Sequence, residues 1–355
     1  MSRPYSSKPA AWQVVTTAKR LISGTCRGSF SQQVPVSASP EGRLAAVTGA
    51  SGFIGRHLVR TLADAGWRTR LLLRSEPDEA QWRGVRPQVV AGSLGDAAAL
   101  SRLVEGADVV IHLAGLIKAA RQADFFRVNR DASATLAQTT RRIAPAAHFI
   151  AVSSLAAREP LLSDYAASKR AGEAAVLSTL GSRASVLRPP AVYGPGDRET
   201  LLFFQLARLR RVPLLGGQDA RIAMIHVRDL VRLIAALASN SPSGGVRCAA
   251  DGHPEGYRWD ELLGAAARAV GNPTPRFIQA PQSLLSGAAL LGDIARLMGS
   301  ASMLSSQKLR ELRHADWSVP MSERTQPTGW APEFSLDNGF ADAVAWYRTA
   351  GWLPS

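Results

Sequence analysis

Tyr165-Ala-Ala-Ser-Lys169 sets a phenol and an ammonium four residues apart, which on a helix puts both on one face. A free phenol titrates at about 10 and is a poor base at neutral pH. A fixed ammonium nearby favours the phenolate and so lowers that value. The tyrosine can then take a proton from an alcohol, or return one to a carbonyl, while a hydride moves to or from a nicotinamide. An ordinary exposed helix pair has the same spacing, so position has to decide. The pair follows Val152-Ser153-Ser154 at the end of an apolar run, where Ser154 can donate to the substrate oxygen.

A second constellation is Thr48-Gly49-Ala50-Ser51-Gly52-Phe53-Ile54-Gly55. Gly49 suits a tight turn, Gly52 a close approach of backbone to a pyrophosphate, and Gly55 close packing of helix on strand. The helix that starts there offers unpaired N–H groups and a positive dipole end to phosphates. A lone glycine triplet is weak; this one sits between an apolar run and a helical pattern, the context a dinucleotide site requires. Arg74 stands at the end of the second apolar run, where an acid would bind the ribose 2′-hydroxyl of NAD. An arginine suits a 2′-phosphate, so NADP is favoured over NAD, a surface arginine being the plainer reading.

The elements that must position these groups are legible from periodicity. Apolar runs at Leu44–Thr48, Arg68–Leu73, Gln88–Ala91, Asp108–Leu113, Phe149–Val152 and Ala184–Leu187 alternate with helical patterns. Those patterns are Phe53–Ala65, Ala97–Glu105, Asp124–Ile143 and Tyr165–Leu180. Such alternation predicts an α/β fold with a doubly wound parallel sheet covered on both faces, over residues 43–190, with 222–250 returning to it. Residues 191–221 and 251–355 read as a smaller, mostly helical substrate-binding region. That region is expected to close over the carboxyl edge of the sheet, where ligands bind in such folds.

The net charge of +14 is carried mostly by scattered arginines without a nucleic-acid motif, so no nucleic-acid partner is expected. No apolar stretch is long enough to span a membrane; peripheral membrane contact stays open. Cys26 and Cys248 form neither a metal spacing nor a disulfide framework, and no metal is expected. Residues 1–42 hold basic residues and serines with no acid before Glu41, reading as a disordered or targeting extension. A cytoplasmic location is expected, with organellar targeting left open. His57, His112 and His226 fall in helix or strand patterns and read as packed histidines.

Taken together, TGASGFIG at 48–55, HLAG at 112–115, VN at 128–129, VSS at 152–154, YAASK at 165–169, LRPPAVYGPGD at 187–197 and IHVRDL at 225–230 resemble the extended short-chain dehydrogenase/reductase family. The likeness runs from Leu44 to Trp352 and takes in nucleotide-sugar epimerases, dehydratases and 3β-hydroxysteroid dehydrogenases. It implies a Rossmann fold, with Tyr165 as acid/base, Lys169 tuning it and binding the nicotinamide ribose, and Ser154 holding the substrate oxygen. It further implies that Gly49, Ser51, Gly52, Phe53, Ile54, Gly55 and Arg74 bind cofactor, with Ala114 and Gly115 lining it. Asn129 would support the active-site backbone, and Pro189 and Pro190 would face the nicotinamide. Homodimer formation through helices flanking the sheet is common in the family.

Two departures from the family pattern matter. Ser93-Leu94 replaces an Asp-Leu pair near the adenine, which weakens that contact or moves it to Asp96. Ala191 replaces an asparagine that holds the pyrophosphate of sugar nucleotides, which argues against such a substrate. The apolar stretch Leu284–Met298, with Leu304–Leu312 and His314-Ala-Asp-Trp317, looks more like the hydroxysteroid-dehydrogenase-like members and would suit a bulky apolar small molecule, or simply core packing. The leading expectation is an NAD(P)-dependent oxidoreductase acting at a secondary alcohol or ketone. The alternatives are a nucleotide-sugar epimerase/dehydratase with tightly bound NAD and a non-catalytic, cofactor-binding assembly subunit.

Overall fold

The computed structural model describes residues 42–354 apart from 76–81, 83, 218 and 298–304. Expectations for the N-terminal extension, and for Cys26, fall outside the described residues. Six short strands follow the predicted apolar runs: β1 (Leu44–Thr48), β2 (Arg68–Leu73), β3 (Gln88–Ala91), β4 (Val109–His112), β5 (His148–Val152) and β6 (Ala184–Arg188). Every residue of β1, β4, β5 and β6 is buried, as a parallel sheet with two covered faces demands.

The next strands are β7 (Ala191–Tyr193), β8 (Arg211–Leu214), β9 (Arg221–Ile222), β10 (Met224–His226) and β11 (Val246–Cys248), followed by β12 (Arg276–Gln279) and β13 (Asp316–Trp317). The central sheet has seven strands in the order β11-β6-β5-β4-β1-β2-β3, all pairs parallel. Chain direction across the sheet reverses between β1 and β4, which opens a crevice at their carboxyl ends. From the segment 222–250, β11 joins this sheet, whereas β10 pairs with β7 outside it.

Two helical layers cover the faces. On one lie α1 (Phe53–Asp64) and, later in the chain, a helix at Val227–Ser239, burying Leu58, Leu62, Leu230 and Ile234 with Trp67 and Trp330. On the other lie α2 (Ala97–Val104), α4 (Ala132–Ile143) and α5 (Asp164–Leu180), around Leu100, Leu136, Phe149 and Val176. The remaining helices are α3 (Gln122–Phe126), α6 (Leu201–Ala207), α7 (the helix at Val227–Ser239), α8 (Trp259–Val270), α9 (Gln282–Leu297), α10 (Ser306–Arg313) and α11 (Leu336–Thr349). Tyr193, Phe204, Leu262, Phe340 and Tyr347 form a separate apolar core among α6, α8 and α11.

Two features differ from the sequence expectation. The single helix expected over 124–143 is broken by a π-turn at Arg127–Asp131. Its cause is contact with α5: a Cβ on Gly172 would stand 2.1 Å from the Asn129 carbonyl oxygen, and the Ser133 hydroxyl donates to that oxygen at 2.8 Å. The mostly helical C-terminal region also contains three two-stranded ribbons, β10-β7, β12-β8 and β13-β9, whose strands of two to four residues carry no alternation to read.

Candidate active site

Because every strand of the central sheet runs the same way, the motif residues meet at one edge. Gly49 follows β1, Arg74 follows β2, Ala114 follows β4, Ser154 follows β5 and Pro189 follows β6. A Cβ on Gly49, whose φ is +75°, would fall 2.6 Å from the Ala114 amide nitrogen, so the two loops touch across the crevice. On Gly55 a Cβ would sit 2.2 Å from the Gly49 oxygen, which is the close helix–strand packing expected of it.

These residues fit a dinucleotide. Ser51 and Gly52 are exposed at the start of α1. No side chain caps this helix, and its first turn carries no acid, so its amides and its positive end stay available to a pyrophosphate. Phe53 and Ile54 are half-buried against the core beneath, and Gly115 is exposed at the crevice. On Gly115 a Cβ would come within 3.2 Å of Asn129 Oδ1 and 3.5 Å of Lys169 Nζ.

Tyr165 lies in the first turn of α5, which Ser163 starts by accepting from the Ala166 amide at 3.0 Å. The Tyr165 hydroxyl is hydrogen-bonded to Ser154. Lys169, one turn on, spends one donor on the Val152 carbonyl at 2.9 Å. The sequence predicts that Lys169 lowers the phenol pKa, but burial is the larger effect. Burial pushes Tyr165 up to about 12, against the Ser154 hydrogen bond and with the Glu311 carboxylate. Burial also brings Lys169 down to about 8, against the pull of Glu173.

Asn129 is fully used beneath this pair. Its Oδ1 accepts from the Leu116 amide at 2.7 Å, and its Nδ2 donates to the Leu116 carbonyl and to Ser168 Oγ, each at 2.9 Å. Ser168 donates to the Tyr165 carbonyl at 2.8 Å, so the Asn129 side chain fixes both the crevice loop and α5. A second chain reaches Asn129 from β1. Ser133 already donates to the Asn129 carbonyl, so it accepts from His112 Nε2 at 2.9 Å, and His112 Nδ1 accepts from Thr48 Oγ1 at 2.7 Å. Burial holds His112 neutral, down to about 3. His112 is thus the packed histidine that the sequence suggests.

Several neighbours escaped the sequence reading. Glu173, buried, accepts from Ser153 at 2.6 Å and from Arg188 at 2.8 and 2.6 Å. Its spacing from Lys169 resembles a surface ion pair and conceals this. Glu311 on α10 accepts from the Ser163 hydroxyl, and Gln307 exchanges hydrogen bonds with Asp164 at 2.9 and 2.7 Å. Nothing local marks those contacts, since they join residues 143 and 148 apart in the chain. At the adenine end, Ser93 accepts from the Gly95 amide at 3.3 Å, Leu94 packs against α2, and Asp96 caps α2 through the Ala99 amide at 3.0 Å. Pro189 and Pro190 are buried behind β6. Among the described residues no group of three or more His, Cys, Asp or Glu could hold a metal.

The comparisons with known proteins agree with this fold. The family model "NAD dependent epimerase/dehydratase family" matches residues 45–247. The chain is 47% identical over 313 residues to a ceramide reductase of Caulobacter vibrioides, covering 87% of this chain and 96% of that protein. It is 28% identical over 340 residues to sterol demethylase protein B of Methylococcus capsulatus, covering 86% and 99%. Among solved structures it resembles DesIV, a dTDP-glucose 4,6-dehydratase from Streptomyces venezuelae with NAD and TYD bound, at 23% identity and a TM-score of 0.66 over 88% of this chain and 99% of that one; this likeness shows the fold. The family match spans more than half of the chain, and the chain therefore belongs to the NAD dependent epimerase/dehydratase family of extended short-chain dehydrogenases/reductases and is an NAD(P)-dependent enzyme.

Proposed function

We propose that this protein reduces a ketone on a long-chain lipid of the ceramide class, with Tyr165 delivering the proton. The observation that carries the reading is the meeting of the Tyr165 hydroxyl with Ser154 after β5, with Lys169 one helical turn on and held by the Val152 carbonyl. A phenol is protonated at neutral pH and can give its proton to a carbonyl oxygen as the carbon accepts hydride. The direction, reduction, is supported by the 47% identity to a ceramide reductase.

When bound, the reduced nicotinamide supplies the hydride that the carbonyl carbon accepts. Ser154 holds the carbonyl oxygen, and Tyr165 protonates it as its electron pair is released. Lys169, on the same helix face and brought down to about 8, exchanges protons readily at working pH and replaces the one that Tyr165 gives up. Gly49, Ser51, Gly52 and the amides of α1 would hold the pyrophosphate, and Lys169 the ribose. Arg74, exposed beyond β2, favours NADP as the nucleotide.

Support for the lipid comes from two directions. The printed names of two relatives contain ceramide and sterol, both bulky and apolar. The loops that follow β4 and β5 also expose Ile117 and Leu161, at 56% and 95%, on the edge that carries Ser154 and Tyr165. The test is NADPH and NADH oxidation with a short-chain, water-soluble 3-oxoceramide, for the wild type and Tyr165→Phe. Turnover that falls by orders of magnitude in the variant, with nucleotide binding kept, is the expected result. Unchanged turnover would sink the mechanism. Near-stoichiometric NAD released on denaturation would instead favour an epimerase or dehydratase that never exchanges its cofactor.

A further inference from the structure

Away from the crevice, the start of the β8–β12 ribbon exposes three arginines, Arg210, Arg211 and Arg276. Arg276 pairs in register with Arg211, and its amide donates to the Arg210 carbonyl at 3.2 Å. None of the three has an ion-pair partner among the described residues. The sequence has no acid between Glu199 and Asp219, nor between Glu261 and Asp293. The same ribbon exposes apolar side chains: Phe277 at 37%, Ile278 at 44% and, one residue before Arg210, Leu209 at 48%. α9 starts three residues after β12 and exposes Leu290 at 59% and Leu291 at 69%. A single exposed leucine needs no explanation; several apolar side chains beside unpaired arginines do.

We propose that this face, the β8–β12 ribbon with α9, docks on an anionic lipid bilayer. Arginines that lack carboxylate partners gain by meeting anionic headgroups, and leucines on an adjoining helix gain by entering the headgroup boundary. The inference extends the lipid-reductase reading, because such a substrate resides in a membrane. It also gives α9 a route to the site. Asp293 accepts from the Ser306 amide at 3.1 Å at the start of α10, and α10 holds Ser163 and Asp164 beside Tyr165.

The experiment is flotation of the full chain with phosphatidylglycerol/phosphatidylethanolamine vesicles and with pure phosphatidylcholine vesicles, at low and high salt. Binding to the anionic vesicles alone, released by salt, is expected. Each arginine replaced by serine should weaken it about fivefold, and Arg210→Ser/Arg211→Ser/Arg276→Ser together about a hundredfold. Leu290→Ser/Leu291→Ser should also float poorly while turning over the soluble ketone at the wild-type rate. Equal binding to both vesicle types, or undiminished binding by the triple variant, overturns the proposal. So does duplex DNA binding that vesicles fail to displace, or a dimer that becomes a monomer in the leucine variant with no vesicle binding by the wild type. The chemistry fails separately: a wild type that floats but never oxidises NADPH with the soluble ketone refutes the reductase and leaves the surface standing.

Discussion

A Cβ on Gly172 would lie 2.1 Å from the main-chain oxygen of Asn129, so α5 and the π-turn meet backbone to backbone. Lys169 precedes Gly172 by three residues on α5, and Asn129 ties the same helix to the crevice loop through Ser168 and Leu116. The contact therefore sets the distance between the lysine and the crevice loop after β4. Gly172→Ala must push the two helices apart. Its expected cost is about 1–3 kcal/mol of stability, the usual range for overpacking, read as a lower urea midpoint. Turnover should fall further than stability alone explains, because Lys169 and Gly115 move apart with the helices. A variant with wild-type midpoint and turnover would show that the contact is slack.

His112 gives the fold a dependence on acid. Folded, it stays neutral down to about 3; unfolded, it takes a proton at its ordinary 6.5. Between those values the unfolded chain binds the extra proton, so stability falls as pH falls. From pH 7 to pH 5 this one residue should remove about 2 kcal/mol. Urea unfolding at both pH values should show His112→Gln losing about that much less than the wild type. An equal loss in both proteins would mean that His112 is charged in the folded state.

Much of the site was legible because of one property of parallel sheets. Gly49, Arg74, Ala114, Ser154 and Pro189 each lay just past an apolar run, and parallel strands bring those ends to one edge whatever their order. Gly49 and Ala114 could be placed together on that basis alone. The partners of Ser163 and Asp164 could not, since Glu311 and Gln307 belong to a helix far along the chain with no local signature. The Tyr165 pKa went wrong for a related reason. Spacing shows a charge four residues away, but desolvation depends on everything packed around the phenol, and here it is the larger effect.

Asp229, in the IHVRDL stretch, is buried and accepts from the amides of Glu333 and Phe334, each at 3.0 Å, and from Arg232 at 2.5 Å. It thus anchors the segment leading into α11. Asp229→Ala leaves two amides and a guanidinium short of an acceptor, at an expected cost of about 3 kcal/mol. Thermal unfolding should report the loss, and limited proteolysis should cut first around Trp330–Ser335. Asp229→Asn, which keeps one acceptor oxygen, should recover part of it. If Ala and Asn behave alike, the carboxylate is not what holds the segment.

Arg74 decides the nucleotide if the NADP preference holds. Arg74→Glu replaces a cation suited to a 2′-phosphate by an anion that repels it and can accept from a ribose 2′-hydroxyl. The KM for NADPH should rise at least about tenfold while that for NADH falls or stays. Equal KM changes for the two nucleotides would remove Arg74 from the recognition of either.

Glu311 should adjust, more weakly than burial does, the pH at which Tyr165 works. Its carboxylate raises the phenol pKa and accepts from Ser163 and, at 3.0 Å, from Lys308. Reduction uses the protonated phenol, so its rate falls as pH rises through the Tyr165 pKa; alcohol oxidation uses the phenolate and rises through the same point. Glu311→Gln removes the charge and lowers that pKa. Both alkaline limbs should therefore move to lower pH, and oxidation measured at pH 9 should gain. A purely mechanical role predicts something else. Ser163→Ala removes the cap of α5, worth about 1 kcal/mol, but leaves the carboxylate in place, so it should lower stability with little displacement of the profile. If the two variants shift the profile equally, Glu311 acts by anchoring the helix start, and its charge is incidental to the chemistry.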